Sequence, residues 1–369
     1  MKILISGHNG FLGKHLRRKL KTISSPFNID FLTKSDFDLE KKLTKKIGSE
    51  DIIFHFAGIN RAKTAEIVYE KNKLINNSLN RALDNANFKG KLIFTSSIQE
   101  SINNPYGNSK KEARLNFKKQ SKKLGYKFYG ILTPNVFGPF CRPNYNSFIS
   151  TFSKMLIDGE SPKIVEDKKI SLIYVSDFID KIVSLISKDF EINIEDITYE
   201  TKVSNVLSKL EIFNDIYFKK GKIPGLNNHF DISLFNTFRS YINHKKYFPI
   251  FHIMHNDERG SFSELVRSYS KGQTSFSTTK KNVVRGNHYH TRKIERFSVI
   301  SGKAKIEIRE ILSDNIISYV LDGNTSSYID MPIWYTHNIK NIGSDDLLTM
   351  FWVNEHYEDN DSDTYIEKV

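Results

Sequence analysis

The chain has a single cysteine, Cys141, in 369 residues. One thiol cannot form an internal disulfide, which excludes a disulfide-stapled secreted scaffold. No stretch approaches the roughly 20 apolar residues that cross a bilayer. The apolar run Ile3-Leu4-Ile5 is too short for a signal peptide and leads straight into glycines. With no secretion signal and no membrane span, the cytoplasm is the expected compartment. There is no internal repeat and no low-complexity segment. The formal net charge of +13 draws polyanions over a long range. No dense basic block interleaved with aromatics occurs, so nucleic acid is not expected. A nucleotide diphosphate fits the charge, and so does a plain lysine-rich surface.

Two textures divide what is there. Residues 3–6, 28–32, 52–57, 91–95 and 128–132 read as strands, and residues 11–20, 64–83 and 110–124 as helices. This alternation predicts a Rossmann-type α/β fold, a doubly wound parallel sheet with helices on both faces. From residue 250 onward, short strand-like runs at 297–300, 304–308, 316–321 and 347–352 are separated by turns such as Ser301-Gly302 and Asp322-Gly323-Asn324. That pattern predicts an all-β sandwich or barrel. The boundary falls near residue 247, giving domains 1–247 and 248–369. The acidic stretch 355–363 is expected on the surface.

Gly7-His8-Asn9-Gly10-Phe11-Leu12-Gly13 joins the first strand to the first helix. Glycines there permit a tight turn and let a dinucleotide diphosphate approach the backbone, while the helix start offers unpaired N–H groups. NAD-binding folds carry an acidic residue after the second strand. Here that place holds Thr33-Lys34, and Lys34 favours the 2′-phosphate of NADPH unless it is an ordinary surface lysine.

After the fourth strand come Thr95-Ser96-Ser97 and then Tyr106-Gly107-Asn108-Ser109-Lys110. Tyr106 and Lys110, four apart, share one helix face. The ammonium is expected to lower the phenol pKa, so that Tyr106 exchanges a proton with a carbonyl or alcohol oxygen. A serine hydroxyl would bond the same oxygen. With the glycine turn, Phe56-Ala57-Gly58 and Asn135-Val136-Phe137-Gly138-Pro139, residues 1 to about 245 resemble an extended short-chain dehydrogenase/reductase. The resemblance implies catalytic roles for Ser97 (or the adjacent Ser96), Tyr106 and Lys110. It places Ala57 and Gly58 beside the cofactor and Asn135 near substrate and cofactor. The spacing from serine to tyrosine is shorter than in most relatives, which implies a shortened active-site loop. Arg142, in Cys141-Arg142-Pro143-Asn144-Tyr145, is a candidate diphosphate contact; an exposed arginine without a role is the alternative.

The second half carries Gly286-Asn287-His288-Tyr289-His290, then Glu295 and Gly302, then His337 and Asn341. Histidines at i and i+2 of a strand face one side, and Glu295 can reach them from the next strand. Three imidazoles and a carboxylate suit zinc, iron, manganese or nickel. The spacing resembles the first cupin motif, with the second motif around His337 altered by Trp334 where glycine is usual. The resemblance implies a jelly-roll domain holding a divalent metal, preferably zinc, on His288, His290, Glu295 and His337; a cupin that has lost its metal is the alternative. Arg259, Arg285 and Lys293 flank the site, and the segment 257–264 resembles the opening of sugar-nucleotide epimerase cupins.

Over its whole length, including Gly272-Gln273, Ser277-Thr278-Thr279 and the closing Asp363-Thr364-Tyr365, the chain is similar to the bifunctional capsular-polysaccharide enzymes of the UDP-N-acetyl-L-fucosamine pathway. That similarity implies a homodimer acting on a UDP-4-keto-6-deoxy-N-acetylhexosamine. The cupin would invert carbon 3. The reductase would then reduce the carbon 4 ketone with NADPH, giving UDP-2-acetamido-2,6-dideoxy-β-L-talose for capsule or O-antigen. The proton on carbon 3 is acidic because a ketone lies beside it, and a cation can stabilise the enediolate formed on its removal. Tyr289, Lys293 and His255 are candidates for the base. Two other readings compete: a nucleotide-sugar 4-epimerase or dehydratase with a regulatory, dimer-stabilising cupin, and a non-enzymatic nucleotide sensor.

Overall fold

Ile3–Ser6 is buried at every residue and becomes strand β1. Ile29–Leu32 (β2), Ile52–His55 (β3), Lys91–Thr95 (β4) and Lys127–Ile131 (β5) complete an all-parallel sheet of order β2-β1-β3-β4-β5. The protein is seen here as a computed structural model that describes residues 2–23, 27–252, 255–257, 260–262, 266, 272–355 and 359–369. Strands covered on both faces need apolar residues at every position, and the pleat sorts them. Ile3, Ile5, Phe54 and Ile93 face one core with Leu16, Leu20, Phe178 and Ile182. Leu4, Ile53, Leu92 and Phe94 face the other with Leu79, Leu83 and Phe117. The strand order reverses between β1 and β3, so a crevice opens beyond their carboxyl ends, where such sheets bind ligands.

Several element ends differ from the sequence reading, and two of them bear on the site. β3 stops at His55, before Phe56 and Ala57. The helix expected from residue 110 starts at Pro105 and runs to Leu124. Asn104 accepts the Gly107 N–H at 2.7 Å and Pro105 occupies the first turn. These cap signals, and not apolar periodicity, set the start, and they place Tyr106 and Lys110 on one helix.

The second half forms two five-stranded antiparallel sheets, the jelly-roll arrangement of cupins. One orders Gln273–Thr279, Leu347–Val353, Glu295–Ser301, Ser327–Met331 and Ile250–Phe251; the other orders Ile316–Asp322, Lys303–Glu310, Tyr335–Asn341, Val284–Tyr289 and Tyr365–Ile366. Val299, Ala304, Ile306, Ile329, Ile339 and Leu347 pack in the core of this half.

By compactness the chain divides into Met1–Thr151 with Glu166–Val203, and Phe152–Val165 with Ser204–Val369. Residues 204–247, which lie before the change of texture at 247, thus pack with the sandwich. Buried polar bonds join them to it. Arg296, 2% exposed, donates to Asp330 Oδ1 at 2.8 Å and Oδ2 at 3.1 Å, and to the Gly221 carbonyl at 2.8 Å. The Tyr217 hydroxyl donates to Asp330 Oδ2.

Among the described residues no helix is long and apolar enough to cross a membrane. The acidic stretch expected on the surface ends otherwise: Asp361 is exposed but Asp363 is buried.

Candidate active site and metal centre

The turn after β1 is shaped by what glycine alone permits. Gly7 has φ +67°, and a side chain on Gly13 would sit 2.3 Å from the Gly7 carbonyl oxygen. Gly10 precedes the helix Phe11–Lys21, whose first turn has no acidic residue. The helix start therefore presents bare N–H groups and a positive dipole end, which fits a dinucleotide diphosphate. Phe11 and Leu12 pack on the core below. His8 stacks on Phe31 of β2 at 4.5 Å, and the Arg17 guanidinium lies over the same ring at 4.9 Å while donating to Asn9 Oδ1 at 3.4 Å. Burial, then Arg17 and Lys46, lowers the His8 pKa. Lys34 is exposed in the first turn of a short helix. Asp36, the acidic residue after it, is committed inward: it accepts the Thr33 N–H and hydroxyl, each at 2.7 Å, and pairs with Lys46 at 2.9 Å.

A buried relay carries the loop after β3. Ser6 Oγ accepts the N–H groups of Phe56 and Ala57, each at 3.1 Å, so its hydrogen goes to His55 Nδ1 at 2.7 Å. His55 Nε2–H then donates to Asn76 Oδ1 at 2.9 Å. Asn72 clamps Ile59 through both backbone groups at 2.8 Å, and its Oδ1 lies 3.2 Å from where a Gly58 side chain would start, with Lys110 Nζ at 3.7 Å. Ala57 and Gly58 thus line the crevice beside Lys110.

Burial holds His55 down to about 3, against its bond to Asn76, and likewise lowers His15 to about 3. Both are neutral when folded and titrate near 6.5 when unfolded. Below pH 6.5 the unfolded chain therefore binds more protons, and stability falls as pH drops toward 3. Each histidine should remove about 2 kcal/mol by pH 5. Urea unfolding at pH 7 and pH 5 checks this; equal midpoints would contradict it.

Lys110 is buried and donates to the Thr95 carbonyl at 3.0 Å. Burial lowers its pKa to about 8, with Glu100 opposing. Tyr106 differs from the sequence expectation. Its phenol is pushed up to about 12, by burial first and by Tyr145 second. Removing the ring from water sets the direction of the shift, so the phenol keeps its proton throughout the neutral range. Of the two serines, Ser96 Oγ donates to Glu100, which Arg114 grips at 2.6 to 3.0 Å. Ser97 Oγ accepts the Gln99 N–H at 3.1 Å and keeps its own hydrogen to give. Asn135 is exposed and donates to the Ser171 carbonyl at 3.3 Å. Arg142 lies 5.5 Å from the Tyr145 ring centre and Arg61 5.8 Å from it, with Arg61 also donating to the Asn144 carbonyl at 3.2 Å.

In the sandwich, one ligand atom each of His288, His290, Glu295 and His337 lies within 4.8 Å of the others. His288 and His337 face each other across adjacent strands, and Glu295 comes from the opposite sheet. A register shift between Gly286 and His288, with Asn287 at φ 57°, aims the histidine strand. His290 lies one residue past that strand, yet its Nε2 is 3.0 Å from Glu295 Oε2. His337 Nε2 is 3.3 Å from the same oxygen and makes no hydrogen bond among the described residues, while Nδ1 faces the Tyr335 carbonyl at 3.3 Å. A buried nitrogen held without a hydrogen bond beside a carboxylate and two further imidazoles fits a cation. Burial would raise Glu295, but His290 and His337 hold it well below the usual carboxylate range. Trp334 has φ +62°, which explains why glycine is the usual residue there. Tyr289 is buried against Tyr365 on the strand face opposite His288. Lys293 is buried, and the His255 side chain and Arg259 lie outside the described residues.

Residues 3–197, more than half of the chain, match the NAD dependent epimerase/dehydratase family. The chain belongs to that family. Residues 255–365 match the polysaccharide biosynthesis C-terminal domain. A UDP-2-acetamido-2,6-beta-L-arabino-hexul-4-ose reductase of Pseudomonas aeruginosa is 31% identical over 370 residues, 99% of this chain and 98% of its own length. The crystal structure of the capsular polysaccharide assembling protein CapF from Staphylococcus aureus is similar over 100% of both chains, with 30% identity and a TM-score of 0.60. A UDP-N-acetylglucosamine 4-epimerase from Methanobrevibacter ruminantium shares the fold at 20% identity and a TM-score of 0.52, over 65% of this chain and 97% of its own.

For a member of the epimerase/dehydratase family, three site features escaped the sequence reading. Arg17 sits beside the glycine turn only because β2 brings Phe31 under it. Arg61 and Tyr145 meet only in the fold. A basic residue three positions after Gly58 was the sequence signal that could have pointed to Arg61.

Proposed function

We propose that this protein is a two-site sugar-nucleotide enzyme. The first unit, which holds the glycine turn, Tyr106 and Lys110, reduces the carbon 4 ketone of a UDP-4-keto-6-deoxy-N-acetylhexosamine with NADPH, and the second unit, which holds the histidine cluster, epimerises carbon 3. The observation that carries this is the presence on one chain of a proton-donor site (Tyr106, Lys110) and a separate cluster of three imidazoles and a carboxylate. Similarity over 99% of the chain to a UDP-hexulose reductase supports the substrate class.

A bound nicotinamide supplies the hydride. The chain supplies the rest. The turn at Gly7, Gly10 and Gly13 seats the diphosphate, and Arg17 supports NADPH over NADH because Asp36 is already committed to Thr33 and Lys46. Ser97 donates to the substrate oxygen, and Tyr106, protonated at neutral pH, gives it the proton. Arg61 and Arg142, gathered at Tyr145, suit the substrate diphosphate. His288, His290, Glu295 and His337 would hold a divalent cation, preferably zinc, which supplies Lewis acidity at the ketone.

Incubation with NADPH and the 4-keto sugar nucleotide in deuterated water tests both halves. Oxidation of NADPH and deuterium at carbon 3 are expected. Oxidation without exchange would remove the epimerase. Exchange without oxidation would remove the reductase, and tightly retained NAD with no net NADPH oxidation would favour a nucleotide-sugar 4-epimerase or dehydratase.

A further inference from the structure

The closing Asp363-Thr364-Tyr365 has no part in the chemistry above, yet among the described residues Asp363 is the most heavily bonded carboxylate near the histidine cluster. It is 4% exposed and has φ 42°, a backbone state that aspartate tolerates better than most residues. Its carboxylate accepts the Thr291 hydroxyl at 2.6 Å and the backbone N–H groups of Thr291 (3.2 Å), Arg292 (2.9 Å) and Lys293 (3.1 Å). These residues form the loop between His290 and Glu295. A buried carboxylate is tolerated only with such a full set of donors. Its own backbone carbonyl faces His290 Nδ1 at 2.6 Å. A carbonyl oxygen only accepts, so Nδ1 carries the hydrogen and Nε2 is the nitrogen turned to Glu295 and the centre of the cluster.

The rest of the tail is latched beside this contact. Tyr365 pairs with Tyr289 and Ile366 with His288, and the two tyrosine rings stack at 5.4 Å. The Glu367 N–H donates to the Asn287 carbonyl at 2.9 Å, and Arg309 pairs with Glu367 at 3.1 Å.

We propose that Asp363 is the positioning residue of the metal centre. Its carboxylate seats the 291–293 loop, which holds its carbonyl against His290 and fixes the tautomer and aim of that ring. The closing tail is thus a working part of the site. This rests on the metal reading above.

The test uses the full-length protein titrated with Zn²⁺ against a chelating dye, and with Co²⁺ followed by its visible spectrum. Asp363→Ala should weaken Zn²⁺ binding roughly 10- to 100-fold and change the Co²⁺ spectrum, while Arg309→Gln, which loosens the tail away from His290, should leave both as in the wild type. Should Asp363→Ala fail to fold, Thr291→Val removes one bond of the same seat and should shift both readouts less, in the same direction. A wild type that binds no metal would overturn the metal reading itself. A wild type that binds metal, beside Asp363 and Thr291 variants with unchanged affinity and spectrum, would overturn the role of Asp363 alone. Weaker binding that tracks lower stability of the metal-free variant, with an unchanged Co²⁺ spectrum, would make the tail merely structural and also overturn it.

Discussion

Replacing Tyr106 by Phe should lower the rate of NADPH oxidation roughly a hundred- to ten-thousandfold, with deuterium exchange at carbon 3 intact. The substitution keeps the ring and its packing and removes only the hydroxyl. Burial and Tyr145 hold that hydroxyl protonated up to about pH 12, so it is an acid and not a base at neutral pH. This suits reduction, in which the ketone oxygen gains a proton as carbon gains the hydride. Lys110, anchored on the Thr95 carbonyl, keeps a cation below about pH 8 near Gly58 and the reacting end of the crevice. Steady-state kinetics beside mass spectrometry of the sugar separate the two activities. Loss of both would mean that one site performs both steps. An unchanged oxidation rate would dismiss Tyr106 as the proton donor.

Asp330→Ala should destabilise the second unit by about 3–5 kcal/mol. Arg296 and Asp330 are 2% and 1% exposed, and the alanine would leave a guanidinium buried without its counter-charge. Burial works against the Asp330 charge, but Arg296 overrides it and holds the carboxyl below its usual range. The Tyr217 hydroxyl would lose its acceptor as well, and among the described residues the Arg296 guanidinium, 3.8 Å from the Tyr328 ring centre, would keep that ring and the Gly221 carbonyl. Because Tyr217 and Gly221 belong to the 204–247 segment, the damage should loosen the helices as well as the sheet. Pairing the change with Arg296→Met should recover much of the loss, since a paired apolar replacement leaves no orphaned charge. Thermal unfolding of the single and double variants checks this; equal stability of Asp330→Ala and wild type would show that the network adds nothing.

The reach of the sequence follows the range of each interaction. The glycine turn, the alternation of strand and helix and the His-x-His spacing were legible because each rests on neighbours a few residues apart: a positive φ at Gly7, a pleat of period two, a helix of period 3.6. The start of the helix at Pro105 was legible only as a cap, and Asn104-Pro105 carried no apolar period. The net shift of the tyrosine pKa differs from the expectation, because a lysine four residues away is visible in the sequence and burial is not. Asp363 was read as surface for the same reason, a charged residue in an acidic run.

The amino-acid order by itself determined the two architectures, the place of the dinucleotide turn and the spacing of His288, His290 and Glu295, all encoded locally, while His337 came through the resemblance to the second cupin motif. Only the tertiary structure decided which serine keeps a free hydrogen, where Arg17 and Arg61 stand, which unit residues 204–247 join, and that Asp363 lies against His290, 73 residues earlier. These depend on burial and on contacts between distant segments. No periodicity or motif spans such distances, so the packed chain alone fixes them.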